Sequence, residues 1–65
     1  MEFSEKIIKF RVKWNLSQRE VAEILGVNKN MIYQYESGLV NPRKVNLIAF
    51  DEKMKAWEEK NNENV

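Results

Sequence analysis

The chain has 65 residues, no Cys and no His, and 11 Lys and Arg set against 10 Asp and Glu. That length holds one domain, and a domain so small buries only roughly 60% of its unfolded surface. Without Cys or His there is no disulfide, no thiolate or imidazole metal site and no usual general base or nucleophile pair, so neither a cofactor nor catalysis is expected.

The N-terminal MEFSEKIIKF has acids at Glu2 and Glu5 and no uninterrupted apolar run, so it does not read as a signal peptide. Nowhere do ~18 apolar residues follow one another, so no membrane partner is expected and a cytoplasmic setting is the default. The formal net charge of +1 is unevenly spread: residues 1–50 hold eight Lys or Arg against five Glu, and residues 51–65 hold three Lys against five acids. An acidic tail thus masks a basic body, although ordinary solvated surface explains charge alone at least as well.

With two Gly, one Pro and no alternating β-branched runs, the chain reads as all-α. Helix one is expected over residues 4–14, with Phe3, Ile7, Phe10 or Arg11, and Trp14 on one stripe and Asn15 ending it in the left-handed region. Helix two starts at Ser17, which with Glu20 three residues later forms a capping box, stapled by Leu16 and Val21. Val21, Ala22, Ile24 and Leu25 form its buried face, and Gly26 supplies the positive φ that stops it. Helix three restarts with Asn28 as N-cap and Val27 stapled to Ile32. Ile32 and Tyr35 face inward, while Lys29, Asn30, Tyr33 and Gln34 face outward until Gly38 ends the helix.

Helix four is expected to start at Asn41-Pro42, with Asn as cap and Pro at the first helical position. Val45, Ile48 and Ala49 should face in. Leu47, Phe50, Met54 and Trp57 recur at spacings of 3, 4 and 3, an a/d-like stripe that suits either closure of the core over helix one or a subunit seam. The segment AFDEKMKAWEEKNN either continues helix four or restarts after Phe50 with Asp51 as cap. Residues 63–65 read as a frayed tail.

Two helices joined by so tight a turn cross steeply, so the first can brace on a nucleic-acid backbone while the second enters the major groove. The outward side chains suit that task. The amides of Asn30 and Gln34 match adenine N6 and N7, Lys29 matches guanine O6 and N7, and the Tyr33 ring can touch thymine methyls. Positions 29, 30, 33 and 34 share one helical face.

The stretch LSQREVAEILGVNKNMIYQYESGLVNP resembles the phage-repressor and Cro-type helix-turn-helix domains, often called the XRE family. The likeness rests on Leu16-Ser17-Gln18, Val21-Ala22, Leu25-Gly26-Val27, Ile32 followed by Tyr35-Glu36, Gly38 and Asn41-Pro42, with Arg11 near the end of helix one also in keeping. It spans about residues 3–50.

The resemblance implies a lambda-repressor-like fold of four to five helices over residues 1–62, with the helix-turn-helix at about 17–36. It also implies a Cro-like transcriptional regulator, acting as a homodimer on a near-palindromic operator in double-stranded DNA. By position, Asn28, Lys29, Asn30, Tyr33 and Gln34 would face bases. Gln18, Asn41, Arg43 and Lys44 would meet phosphates, with the first-turn N–H groups of helices two and four beside them. Glu36 is expected to pair internally, with Arg11 as candidate partner. Beyond residue 50 the chain departs from the family pattern, leaving residues 51–61 a candidate dimer contact through Leu47, Phe50, Met54 and Trp57. No small-molecule partner is expected, and the chain resembles a stand-alone regulator. The alternative is a small antitoxin- or inhibitor-like interaction module that uses that C-terminal apolar stripe.

Overall fold

Residues 2–62, which the computed structural model describes, form four helices in chain order: α1 Phe3–Lys13, α2 Gln18–Leu25, α3 Lys29–Ser37 and α4 Lys44–Asn62. No strand occurs among the described residues. The tail expected to fray, 63–65, lies outside them.

The first three helices stop and start where local chemistry dictates. α1 carries Glu5 in its first turn and Arg11 and Lys13 in its last, which complements the helix dipole. Asn15 then takes a φ of 53°. The Ser17 hydroxyl accepts the Glu20 N–H at 3.0 Å, and the Glu20 carboxylate accepts the Ser17 N–H at 2.8 Å, completing the capping box of α2. Gly26, at φ 76°, ends α2, and the N–H groups of Gly26 and Val27 both close on the Ala22 carbonyl. Asn28 Oδ1 accepts the Met31 N–H at 2.8 Å and caps α3, which ends at Gly38 with φ 79°.

α4 departs from expectation in two ways, and it takes one of the two readings left open for residues 51–61. It begins at Lys44, not at Asn41-Pro42. Asn41, which the following proline disfavours in the helical region, is exposed and lies outside any helix, and Pro42 is buried rather than leading the helix. The Arg43 carbonyl accepts the first α4 bond, from Leu47 N–H at 2.8 Å. Of the two readings open for residues 51–61, continuation holds and restart does not: the helix runs unbroken to Asn62. No Gly or Pro interrupts it, and Asp51 pairs with Lys6 at 2.6 Å instead of capping. The second departure is that Val45 and Ile48 do not face in: they are 70% and 54% exposed. The stripe through Leu47, Phe50, Met54 and Trp57 takes the core side, and at 100° per residue Val45 and Ile48 are carried to the far side. Ala49 is half-buried between the two.

The core draws on every helix: Phe3, Ile7 and Phe10 from α1, Val21, Ala22 and Leu25 from α2, Ile32 and Tyr35 from α3, and Phe50 and Met54 from α4. Phe3 sits edge-on to Tyr35 at 5.5 Å, and both rings meet Phe50 within 6 Å. Trp57 stands edge-on to Phe10 at 5.6 Å and to Trp14 at 5.1 Å, sealing α4 over α1. Such ring pairs contribute about 0.5–1.5 kcal/mol each beyond area burial. Trp14 Nε1 donates to Glu58 at 2.7 Å, so its one polar atom is satisfied. Phe50 and Met54 are therefore core residues, and only the half-buried Leu47 and Trp57 of the stripe retain any outward surface. The alternative of an interaction module loses the exposed stripe that motivated it.

Candidate nucleic-acid interface

Gly26, Val27 and Asn28 separate α2 from α3, and the left-handed glycine turns the chain sharply enough for the two helices to cross. α3 is then fixed from three sides. Ile32, fully buried, and Tyr35, 4% exposed, anchor its inner face. At its C-terminal end Glu36 gathers three donors: Arg11 Nε at 2.7 Å, Arg11 Nη2 at 3.2 Å and Gln18 Nε2 at 3.3 Å. One carboxylate thus ties together α1, the first residue of α2, and α3. Lys53, from α4, donates to the Leu25 carbonyl at 3.1 Å and closes the C-terminal end of α2.

With that inner face committed, Lys29, Asn30, Tyr33 and Ser37 are left outward, Tyr33 at 58% exposure. Gln34 lies at the edge of the face, half-buried. Asn28 is exposed, but its oxygen is spent on the cap, so only its amide N–H groups remain for a ligand. Gln18 is half-buried and braced against Glu36, with a second amide hydrogen still to donate. Asn41, Arg43 and Lys44 are exposed in the segment that leads into α4. The residues expected to meet DNA therefore fall on α3 and on the stretch just after it, with Gln18 joined to α3 through Glu36.

The electrostatics of this region are one-sided. Between Glu23 and Asp51 the one acid is Glu36, and Arg11 neutralises it internally. Lys29, Arg43 and Lys44 in the same stretch make no ion pair among the described residues, whereas Lys6 and Lys13 elsewhere are paired with Asp51 and Glu58. The first turns of α2 and α4 differ as anion sites. At α2 the capping box fills the terminus and sets the Glu20 carboxylate there. At α4 the terminus carries Arg43 and Lys44 instead. Two residues of this surface escaped sequence reasoning. Ser37 lies one turn after Tyr33, so the same i, i+4 spacing would have found it. Arg19, exposed in the first turn of α2, makes no ion pair among the described residues and stands next to Gln18.

A groove between α1 and α4, over Phe10 and Met54, is lined by no residue of α3. No three acidic side chains among the described residues come together to hold a metal ion, and no described helix is long and apolar enough to cross a membrane. Compared with known proteins, the chain matches the helix-turn-helix family profile over residues 7–55. No curated protein and no solved structure matches it.

Proposed function

We propose, from the premise that this chain belongs to the Cro/C1-type (XRE) helix-turn-helix family and is a DNA-binding regulator, that it is a sequence-specific, Cro-like repressor. In this reading a homodimer seats one α3 in each of two major grooves of a near-palindromic operator and blocks transcription from it. One observation carries the reading: α3 projects a face of Lys29, Asn30 and Tyr33, with Gln34 at its edge and no acid, from a body that holds its other face by Ile32, Tyr35 and Glu36.

The chemistry divides between two sets of residues. Asn30 and Gln34 pair with adenine edges, Lys29 with guanine, and Tyr33 meets thymine methyls, while Asn28 donates its remaining amide hydrogens. Each good bidentate pair discriminates by about 1–3 kcal/mol. Arg43, Lys44, Asn41 and Gln18 hold phosphates, fixing register without reading sequence. Arg43 and Lys44 from two copies neutralise roughly four phosphates, so log K should fall against log salt with a slope of about −4 from these residues alone.

Binding-site selection from random duplex DNA tests this directly. The expected product is a palindrome with half-site centres ~10 bp apart. Gln34→Ala should then lose preference at one base pair of each half-site and leave binding to random DNA unchanged. A pool without enrichment, or equal losses on selected and random DNA, would overturn the reading.

A further inference from the structure

We propose that the groove between α1 and α4 binds a small organic anion with an apolar body, such as an alkyl or aryl carboxylate. Its two ends are ion pairs. Lys6 meets Asp51 at 2.6 Å and Lys13 meets Glu58 at 3.4 Å, so the two helices run in step from one pair to the other. The pairs stand two helical turns apart, about 10 Å at ~1.5 Å per residue. Between them the floor is Phe10 and Met54, one from each helix. The space above that floor is about 360 Å³, within the ~300–1,000 Å³ of small-ligand sites.

The charges of the groove do not balance, and that decides what it can take. Four lysines line it against two carboxylates. Lys6 and Lys13 are engaged in the end pairs. Lys9 and Lys55, one on each helix between those pairs, are exposed and make no ion pair among the described residues. Glu5, Glu52 and Glu59 stand within about a turn of one or the other, yet none of them lines the groove. Two ammonium groups thus remain over an apolar floor, and the lysine stems extend its apolar walls. A carboxylate set between Lys9 and Lys55 restores the balance, and its apolar body fills the space over Phe10 and Met54. A metal cation would add to the surplus of positive charge. A duplex laid here would set phosphates against Asp51 and Glu58, and a bare inorganic anion would leave the floor uncovered.

The two halves of the groove are far apart in the chain, so the sequence alone raises no such expectation. The site shares no residue with the surface proposed to meet DNA, and a ligand in it bridges α1 to α4 without covering α3. Occupancy should therefore stabilise the fold by mass action and leave DNA its access.

The isotope-labelled full chain, without DNA, is titrated by two-dimensional NMR with sodium octanoate. Octan-1-ol serves as the uncharged counterpart and sodium acetate as the head group alone, all at equal ionic strength. Octanoate should move the backbone amide signals of Lys9, Phe10, Met54 and Lys55 saturably, with a Kd of about 1 mM, and should raise the melting temperature. Acetate and octan-1-ol should each bind at least ~tenfold more weakly. Lys9→Gln combined with Lys55→Gln should weaken octanoate about tenfold, the scale of two exposed ion pairs, while the corresponding Arg pair should stay within about twofold of wild type. Both positions are exposed, so the ligand-free melting temperature should not change. Shifts spread over the whole chain, or binding untouched by the Gln pair, would overturn the proposal. Octan-1-ol binding as tightly as octanoate would overturn the anion assignment. Groove shifts that need phosphatidylglycerol vesicles instead of free octanoate would assign the face to a membrane surface, and displacement of octanoate by a short duplex would assign it to nucleic acid. Either result overturns the small-ligand assignment. A chain that binds octanoate here but selects no DNA site would uphold the groove and sink the function proposed above; the reverse result would leave that function standing and sink the groove.

Discussion

Glu36→Ala should be as damaging as truncating a core residue of the helix-turn-helix, although Glu36 belongs to neither the apolar core nor the outer face of α3. Its carboxylate is 10% exposed and receives two hydrogen bonds from Arg11 and one from Gln18. Removing it strands the Arg11 guanidinium with one 3.4 Å bond to the Leu16 carbonyl. Loss of one member of a buried ion pair costs about 3–5 kcal/mol, chiefly because the other charge is left without a partner. The Arg11 side chain is 28% exposed, so water recovers part of that cost and the lower end applies. A chain of this size has a total stability of about 3–10 kcal/mol, so a loss of ~3 is a third or more of the whole. Urea unfolding followed by far-UV circular dichroism reads it directly. With a slope near ~1 kcal/mol/M the midpoint should fall by about 3 M. Replacing both partners by apolar residues, Arg11→Met with Glu36→Leu, should recover most of the loss, because no charge is then buried alone. A fall below about 0.5 kcal/mol in Glu36→Ala would show the pair to be an ordinary surface bridge. A double variant no better than the single one would show that α3 depends on these particular hydrogen bonds rather than on charge compensation.

Three further outcomes follow from the same geometry. Gly26→Ala forces an L side chain to φ 76°, while its Cβ would meet only Lys53 Nζ at an ordinary 3.4 Å. The cost is therefore backbone strain of about 1 kcal/mol, read as a melting temperature ~4–8 °C lower; an unchanged melt would contradict it. Asn28→Ala removes the cap of α3 and should cost about 1 kcal/mol of stability, and a neutral effect in a thermal melt would show that the Met31 N–H needs no partner. Arg43→Ala removes an exposed cation, so it should leave the melt alone, weaken binding to all DNA alike and reduce the steepness of the salt dependence by about 1 per copy. A steepness equal to wild type in salt titrations would remove Arg43 from the phosphate contacts.

What was legible in the sequence was whatever a few neighbouring residues decide. Ser17 with Glu20, Gly26 and Asn28 each settle a helix end within four positions, and the structure follows all three. The outward positions of α3 were legible for the same reason, because helical spacing alone divides Ile32 and Tyr35 from Lys29, Asn30 and Tyr33. The tie from Arg11 to Glu36 spans 25 residues and was expected only through the family resemblance, not from any local pattern. The bond from Lys53 to the Leu25 carbonyl spans 28 and left no local trace. α4 was misread for a different reason. Its first turns present two apolar faces, and periodicity cannot rank them, since either one would complete an amphipathic helix. The choice is made by α1, whose Phe10 and Trp14 offer Trp57 two edge-on contacts, so the helix turns its aromatic stripe inward. Once that stripe is taken, continuity of the helix carries Val45 and Ile48 outward without any local penalty that would end it. The apolar surface beside Arg43 and Lys44 is thus what remains when a helix with two apolar faces meets a body that can cover only one.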